Sequence, residues 1–126
     1  MAFDFLFPCI LVLMREEATS VGIEETLINE IVRRILTRAK PKRIILFGSA
    51  AAGPMTRDSD IDLLIVEENP GDTRHRSVQL RETLGTMAYP IDVIVMAAER
   101  FEETKNIIGG MAYPANKYGK VIYAAA

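Results

Sequence analysis

Two acids one residue apart, Asp60 and Asp62, open an apolar run that continues Leu63-Leu64-Ile65-Val66. Side chains alternate faces along a strand, so both carboxylates project from one side, about 7 Å apart, while Ile61, Leu63 and Ile65 face the other side. Two carboxylates held close in a partly enclosed site repel each other unless a cation sits between them. An oxygen-only donor set of this kind suits Mg²⁺ or Mn²⁺, which keep some waters and take substrate phosphates as further ligands. A third acid, Asp92, interrupts the apolar stretch Ile91 to Met96. An unpaired ionised acid buried there would be costly. If its strand lies beside that of Asp60 and Asp62, three acids meet over one site. Such a set can hold two metals about 3.5–4 Å apart and direct in-line attack on a phosphoryl group. The bland alternatives are a solvent-facing strand edge for the pair and a strand-entry position in water for Asp92.

Upstream, Gly48-Ser49 ends an apolar run, and Ala50-Ala51-Ala52 follows before Gly53. Unpaired N–H groups at such a helix start, together with the helix dipole, favour an anion, and small side chains let a phosphate approach the backbone. A Gly-Ser corner alone is more often a plain turn, and this one lacks the Lys of a P-loop and the spacing of a dinucleotide fingerprint. Its weight comes from the acid pair that follows it through the polar turn holding Arg57, Asp58 and Ser59. Asp58 reads as a turn residue, and Ser59 can bond the local backbone.

The elements that must position these residues are legible as pattern. Ile23, Leu27, Ile28, Ile31, Val32, Ile35 and Leu36 recur at helical spacing, with Thr19 or Ser20 as cap and Pro41 as terminator. Arg43 to Phe47 reads as a buried strand, Asp60 to Val66 as a second and Ile91 to Met96 as a third. Between the last two, Asp72 to Ala88 reads as a helix with Val78, Leu80, Leu84 and Met87 as its apolar side. A further helix is expected from Ala98 to about Ile108, ended by Gly109-Gly110. Lys120 to Tyr123 reads as an edge strand or docking segment. Alternating helices and strands predict an α/β fold, a small mixed β-sheet flanked by helices. On the second helix, Arg74-His75-Arg76 and Arg81 read as a solvated basic face, with partner or acceptor docking as the sharper reading. Tyr113, Tyr118 and Tyr123 read as packing residues or as targets of self-modification.

The chain has 126 residues, within the range of one ordinary domain. With 15 Lys and Arg against 17 Asp and Glu, its near-neutral balance argues against a strongly basic nucleic-acid binder. One cysteine and one histidine exclude an internal disulfide, a cysteine-rich zinc site and a multi-histidine site, and point to a reducing, cytoplasmic setting. The apolar segment Phe3 to Met14 is too short for a membrane helix and lacks the flanks of a signal peptide. Residues 1–14 are therefore read as an apolar extension, with translation starting at Met14 as one explanation, and 15–126 as a single domain.

Gly48-Ser49, Gly53, Ser59-Asp60-Ile61-Asp62-Leu63 and a later strand aspartate together resemble the minimal nucleotidyltransferases of the DNA polymerase β superfamily, antitoxin branch. The resemblance extends from about Ile23 to Tyr123. It implies the polymerase-β-like nucleotidyltransferase fold, two Mg²⁺ ions (Mn²⁺ as substitute), and transfer of a nucleoside monophosphate, AMP from ATP or the equivalent from another NTP, to a hydroxyl. By position, Gly48, Ser49, Arg57 and Ser59 would hold the nucleotide, Asp60 and Asp62 both metals, and Asp92 the catalytic metal and the proton of the attacking hydroxyl. The implied partner is a small helical HEPN-type toxin, neutralised by adenylylation of a tyrosine. No membrane or direct nucleic-acid partner is expected, and a second copy of the chain is a further candidate. Relatives commonly carry Arg where this chain has Ala50 and Ala52. That leaves either weakened nucleotide affinity or Arg57 supplying the charge from the far side of the loop. The alternative functions are a non-catalytic antitoxin that occludes its partner and, last, a small-molecule nucleotidyltransferase of the aminoglycoside type.

Overall fold

The computed structural model describes residues 25–48, 60–87 and 89–125. The apolar extension, the Thr19/Ser20 cap and the loop carrying Ser49, Ala50, Ala52, Gly53, Arg57 and Ser59 lie outside the described residues. Among the described residues eight elements follow one another: α1 (Glu25–Leu36), β1 (Arg43–Phe47), β2 (Ile61–Glu67), α2 (Thr73–Leu84), β3 (Ile91–Ala97), α3 (Ala98–Thr104), α4 (Ala112–Tyr118) and β4 (Lys120–Ala124). The strands form one sheet in the order β3-β2-β1-β4. β1 pairs antiparallel with both β2 and β4, whereas β2 and β3 run parallel. A parallel pair needs a crossover, and α2 supplies it. This is the mixed sheet with flanking helices that the pattern predicts.

β2 is central and has helices on both faces. Ile61, Leu63 and Ile65 join Ile44 and Leu46 of β1 in a core closed by Ile28, Ile31 and Ile35 of α1 and Leu80 and Leu84 of α2. On the opposite face, Leu64, Val66 and Ile45 pack with Phe101 of α3 and Ala112 and Ala115 of α4. β2 is thus an inner strand of the sheet, although Asp60, just before it, and Asp92 on β3 are exposed.

Boundaries differ from the pattern where local chemistry intervenes. α2 starts at Thr73 because Asp72 caps it, its side chain accepting from the N–H groups of Arg74 and His75 at 3.1 and 3.3 Å. It ends at Leu84, four residues before the expected Ala88, where Gly85 with a positive φ of 66° turns the chain out of the helix. Val78, expected on the apolar side of α2, is exposed; Leu80 and Leu84 are buried and Met87 is partly buried against them. Residues 105–108 leave the helical path, Ile107 and Ile108 stand exposed, and α4 is an element that the pattern did not reveal. Tyr118 is likewise exposed, whereas Tyr123 packs on the core.

Arg76 is not part of a solvated face. Its Nε and Nη2 donate to the two carboxylate oxygens of Glu67, both at 3.0 Å, and Nη2 also donates to the carbonyl of Arg38 at 3.2 Å. The Glu67 side chain is only 8% exposed, and this pair ties α2 to the end of β2 and to the turn after α1. Removing one partner of such a pair leaves a buried charge uncompensated. Arg76→Ala is expected to destabilise the fold by about 3 kcal/mol in urea unfolding. Glu67→Leu combined with Arg76→Met should recover most of that loss; a double variant as unstable as Arg76→Ala would show that the packing, not the charge, matters.

Candidate active site

β2 and β3 begin side by side, pinned where the Ile61 N–H donates to the Pro90 carbonyl at 3.0 Å. In their parallel register Asp62 pairs with Asp92. Paired positions on adjacent strands point to the same face about 4.8 Å apart, so two carboxylates become neighbours. Asp60, the residue before β2, is exposed, as is Asp92, while Asp62 is half-buried. The acids sit on the face that α3 and α4 cover further along, beyond the reach of Leu64 and Val66 packing.

The chain flanks Asp62 on its other side with β1, whose Phe47 is its register partner. Gly48 follows with φ of +78°, and a Cβ placed there would overlap the Asp62 carboxylate and lie 3.2 Å from its Cγ. A side chain is therefore excluded at Gly48 twice, by backbone conformation and by Asp62. The corner at the end of β1 lies directly against the acid.

Electrostatics agree with this crowding. Burial first, then the negative charges of Asp92 and Asp60, push the Asp62 carboxyl above the ordinary carboxylate range, and a hydrogen bond with the Asp92 carboxyl acts in the same direction. Among the described residues no Lys or Arg forms an ion pair with Asp60, Asp62 or Asp92. Nor do three or more His, Cys, Asp and Glu side chains among the described residues stand as a preformed metal cage. The site is an open carboxylate rim. Such a rim fits Mg²⁺, which binds through one or two carboxylates with waters and substrate phosphates rather than in an all-protein cage.

Of the residues singled out by pattern, Gly48, Asp62 and Asp92 come together, and Asp60 is near enough for its charge to act on Asp62; Ser49, Arg57 and Ser59 lie outside the described residues. The direct packing of Gly48 on Asp62 had no sequence signal beyond a glycine at a strand end. The Arg76–Glu67 pair had none either. Among the described residues no helix is long and apolar enough to cross a membrane.

Over 45 residues the chain is 51% identical to a Methanocaldococcus jannaschii protein named "Putative protein adenylyltransferase". That match takes in 34% of this chain and 45% of that protein, less than half its length. The family model described as "Nucleotidyltransferase domain" matches residues 28–112, a span that holds the β1 corner, the acid pair at the start of β2 and the acid on β3. The pairing of a glycine corner with in-register strand carboxylates is thus set in a chain that belongs to the nucleotidyltransferase domain family.

Proposed function

We propose that this nucleotidyltransferase moves AMP from ATP to a hydroxyl of a protein, a tyrosine of a small helical HEPN-type toxin, and thereby acts as its antitoxin. The observation that carries the reading is Asp62 held between Gly48 and Asp92 with its charge uncompensated by any cation among the described residues. The name of the archaeal relative favours a protein acceptor.

In this reading Asp60 and Asp62 would hold two Mg²⁺ ions, and Asp92 would help hold one of them. Bound there, the ions would supply positive charge against the triphosphate and the charge that develops on it. Gly48 leaves the approach to Asp62 free of a side chain, and the loop with Ser49, Arg57 and Ser59 carries the nucleotide. Asp92, exposed at the rim, takes the proton of the acceptor hydroxyl. The new bond joins that oxygen to the α-phosphorus, the bond from the α-phosphorus to the bridging oxygen breaks, and pyrophosphate leaves. Phosphoryl-type transfer asks for positioning and charge rather than covalent participation by the protein, so a small domain suffices.

The test is incubation of the full chain with α-labelled ATP, Mg²⁺ and any small helical protein found to be encoded beside it. Label on a tyrosine of that protein, lost with a chelator, is the expected result. Neutralisation without label would overturn the enzymatic reading in favour of occlusion. Label appearing on an aminoglycoside but not on protein would move the acceptor to a small molecule.

A further inference from the structure

Among the described residues β3 lies at the edge of the sheet, and α2 overhangs its outer side. Between them runs a groove of about 350 Å³ whose walls include Arg74, Ser77, Val78 and Arg81 of α2 and Val93 and Val95 of β3. Arg74, Val78 and Arg81 fall at i, i+4 and i+7, so they form one stripe along the helix. Both arginines are exposed. Among the described residues neither forms an ion pair, and no acid lines the groove. In the same basic stretch Arg76 is held by Glu67; Arg74 and Arg81 are not. Val78, 40% exposed, supplies an apolar floor between them. In a chain of net charge -2 this is a local positive trough with a greasy centre.

The open edge is not equally available along its length. The N–H of Val95 donates to the Ser77 hydroxyl at 3.0 Å, which interrupts the ladder that a long added strand, such as that of a second copy, would need. Val93, two residues earlier and pointing to the same side by strand alternation, still offers its backbone groups. Its chain neighbour is Asp92. The helix rise places Arg74 and Arg81 about 10 Å apart along the axis, a span that three extended residues cover.

We propose that this groove docks a short, extended, acidic segment of the protein acceptor, with carboxylates on Arg74 and Arg81, an apolar side chain on Val78, and backbone pairing limited to Val93. Bound there, the segment leads toward the Asp92 end of β3. That the docked protein is also the acceptor rests on the function proposed above; the docking itself does not.

The test uses the full chain without nucleotide or metal and a fluorescein-labelled peptide of alternating Glu and Val, read by anisotropy. Saturable binding that weakens with added NaCl is expected, with a peptide of alternating Lys and Val failing to bind. Arg74→Glu with Arg81→Glu should weaken binding at least about tenfold at unchanged thermal midpoint, and Arg74→Gln with Arg81→Gln should weaken it less. Asp62→Asn should bind the peptide as the unmodified chain does, so loss of transfer chemistry and loss of docking are separable. Equal binding of the two peptides, or wild-type affinity in the arginine variants, would overturn the proposal. So would preferential, arginine-dependent binding of a single-stranded oligonucleotide, or a dimer in sedimentation that the arginine variants dissolve.

Discussion

Asp62→Asn is expected to lower nucleotidyl transfer by about 10³-fold or more while raising the thermal midpoint of the metal-free protein. The activity loss follows from removing the central carboxylate of the rim, since charge stabilisation of several kcal/mol corresponds to several decades in rate. The gain in stability follows from the same crowding. Burial, then Asp92, then Asp60 hold the Asp62 carboxyl above its ordinary range. A folded-state pKa raised above the unfolded one means that the ionised form opposes folding at neutral pH. That opposition fades as pH falls through the raised value toward the ordinary carboxylate range near 4. The variant should therefore melt higher than the unmodified chain at pH 7 in a chelator, and the gap should close on acidification. Melting curves from pH 7 to pH 4, read as the difference between the two proteins, check the sign; a variant that melts lower at pH 7 would mean that Asp62 makes a stabilising contact instead. The pairing of lost activity with gained stability is the expected mark of a residue placed for function against its neighbours.

Gly48→Ala is the second large effect, and it tests the corner rather than the charge. Alanine at φ of +78° carries a backbone penalty of about 1–2 kcal/mol, and its methyl would meet the Asp62 carboxylate. An Asp62 carboxylate that turned aside to make room would give up its place beside Asp92, its register partner. Transfer is expected to drop by about 10²-fold or more, together with a lower thermal midpoint, the reverse of the stability change in Asp62→Asn. Combining the two substitutions provides the decisive measurement. If Gly48 acts on the reaction by leaving Asp62 in place, the double variant should be no less active than Asp62→Asn alone. Additive losses would assign Gly48 a separate part in holding the nucleotide.

Much of the fold was legible because the signals are local. The helical spacing of Ile28, Ile31, Val32 and Ile35 and the strand alternation of Ile61, Leu63 and Ile65 each report a buried face, and those residues form the core. β1 carries the bounds that its apolar run suggested. Where the pattern failed, the deciding partner was distant in sequence or the element too short. α4 is only seven residues long and is held by packing on β1 and α3 rather than by periodicity. Val78 has an apolar side chain at a position that faces the β3 edge groove rather than the core. Arg76 stands among basic neighbours, yet its environment is set by Glu67, nine residues away.

The site divides along the same line. Residue type and spacing were enough to single out Asp60, Asp62, Asp92 and Gly48, because two acids at alternate strand positions share a face whatever the rest of the chain does. Only the tertiary structure decided that β2 and β3 are parallel neighbours with Asp62 against Asp92, that helices cover both faces of β2, and that Gly48 closes on the carboxylate. Backbone alternation acts over two residues, whereas strand order and register depend on how the whole sheet buries its two faces. For that reason the chemistry could be guessed from a few letters, and the crowding that gives Asp62 its raised pKa could not.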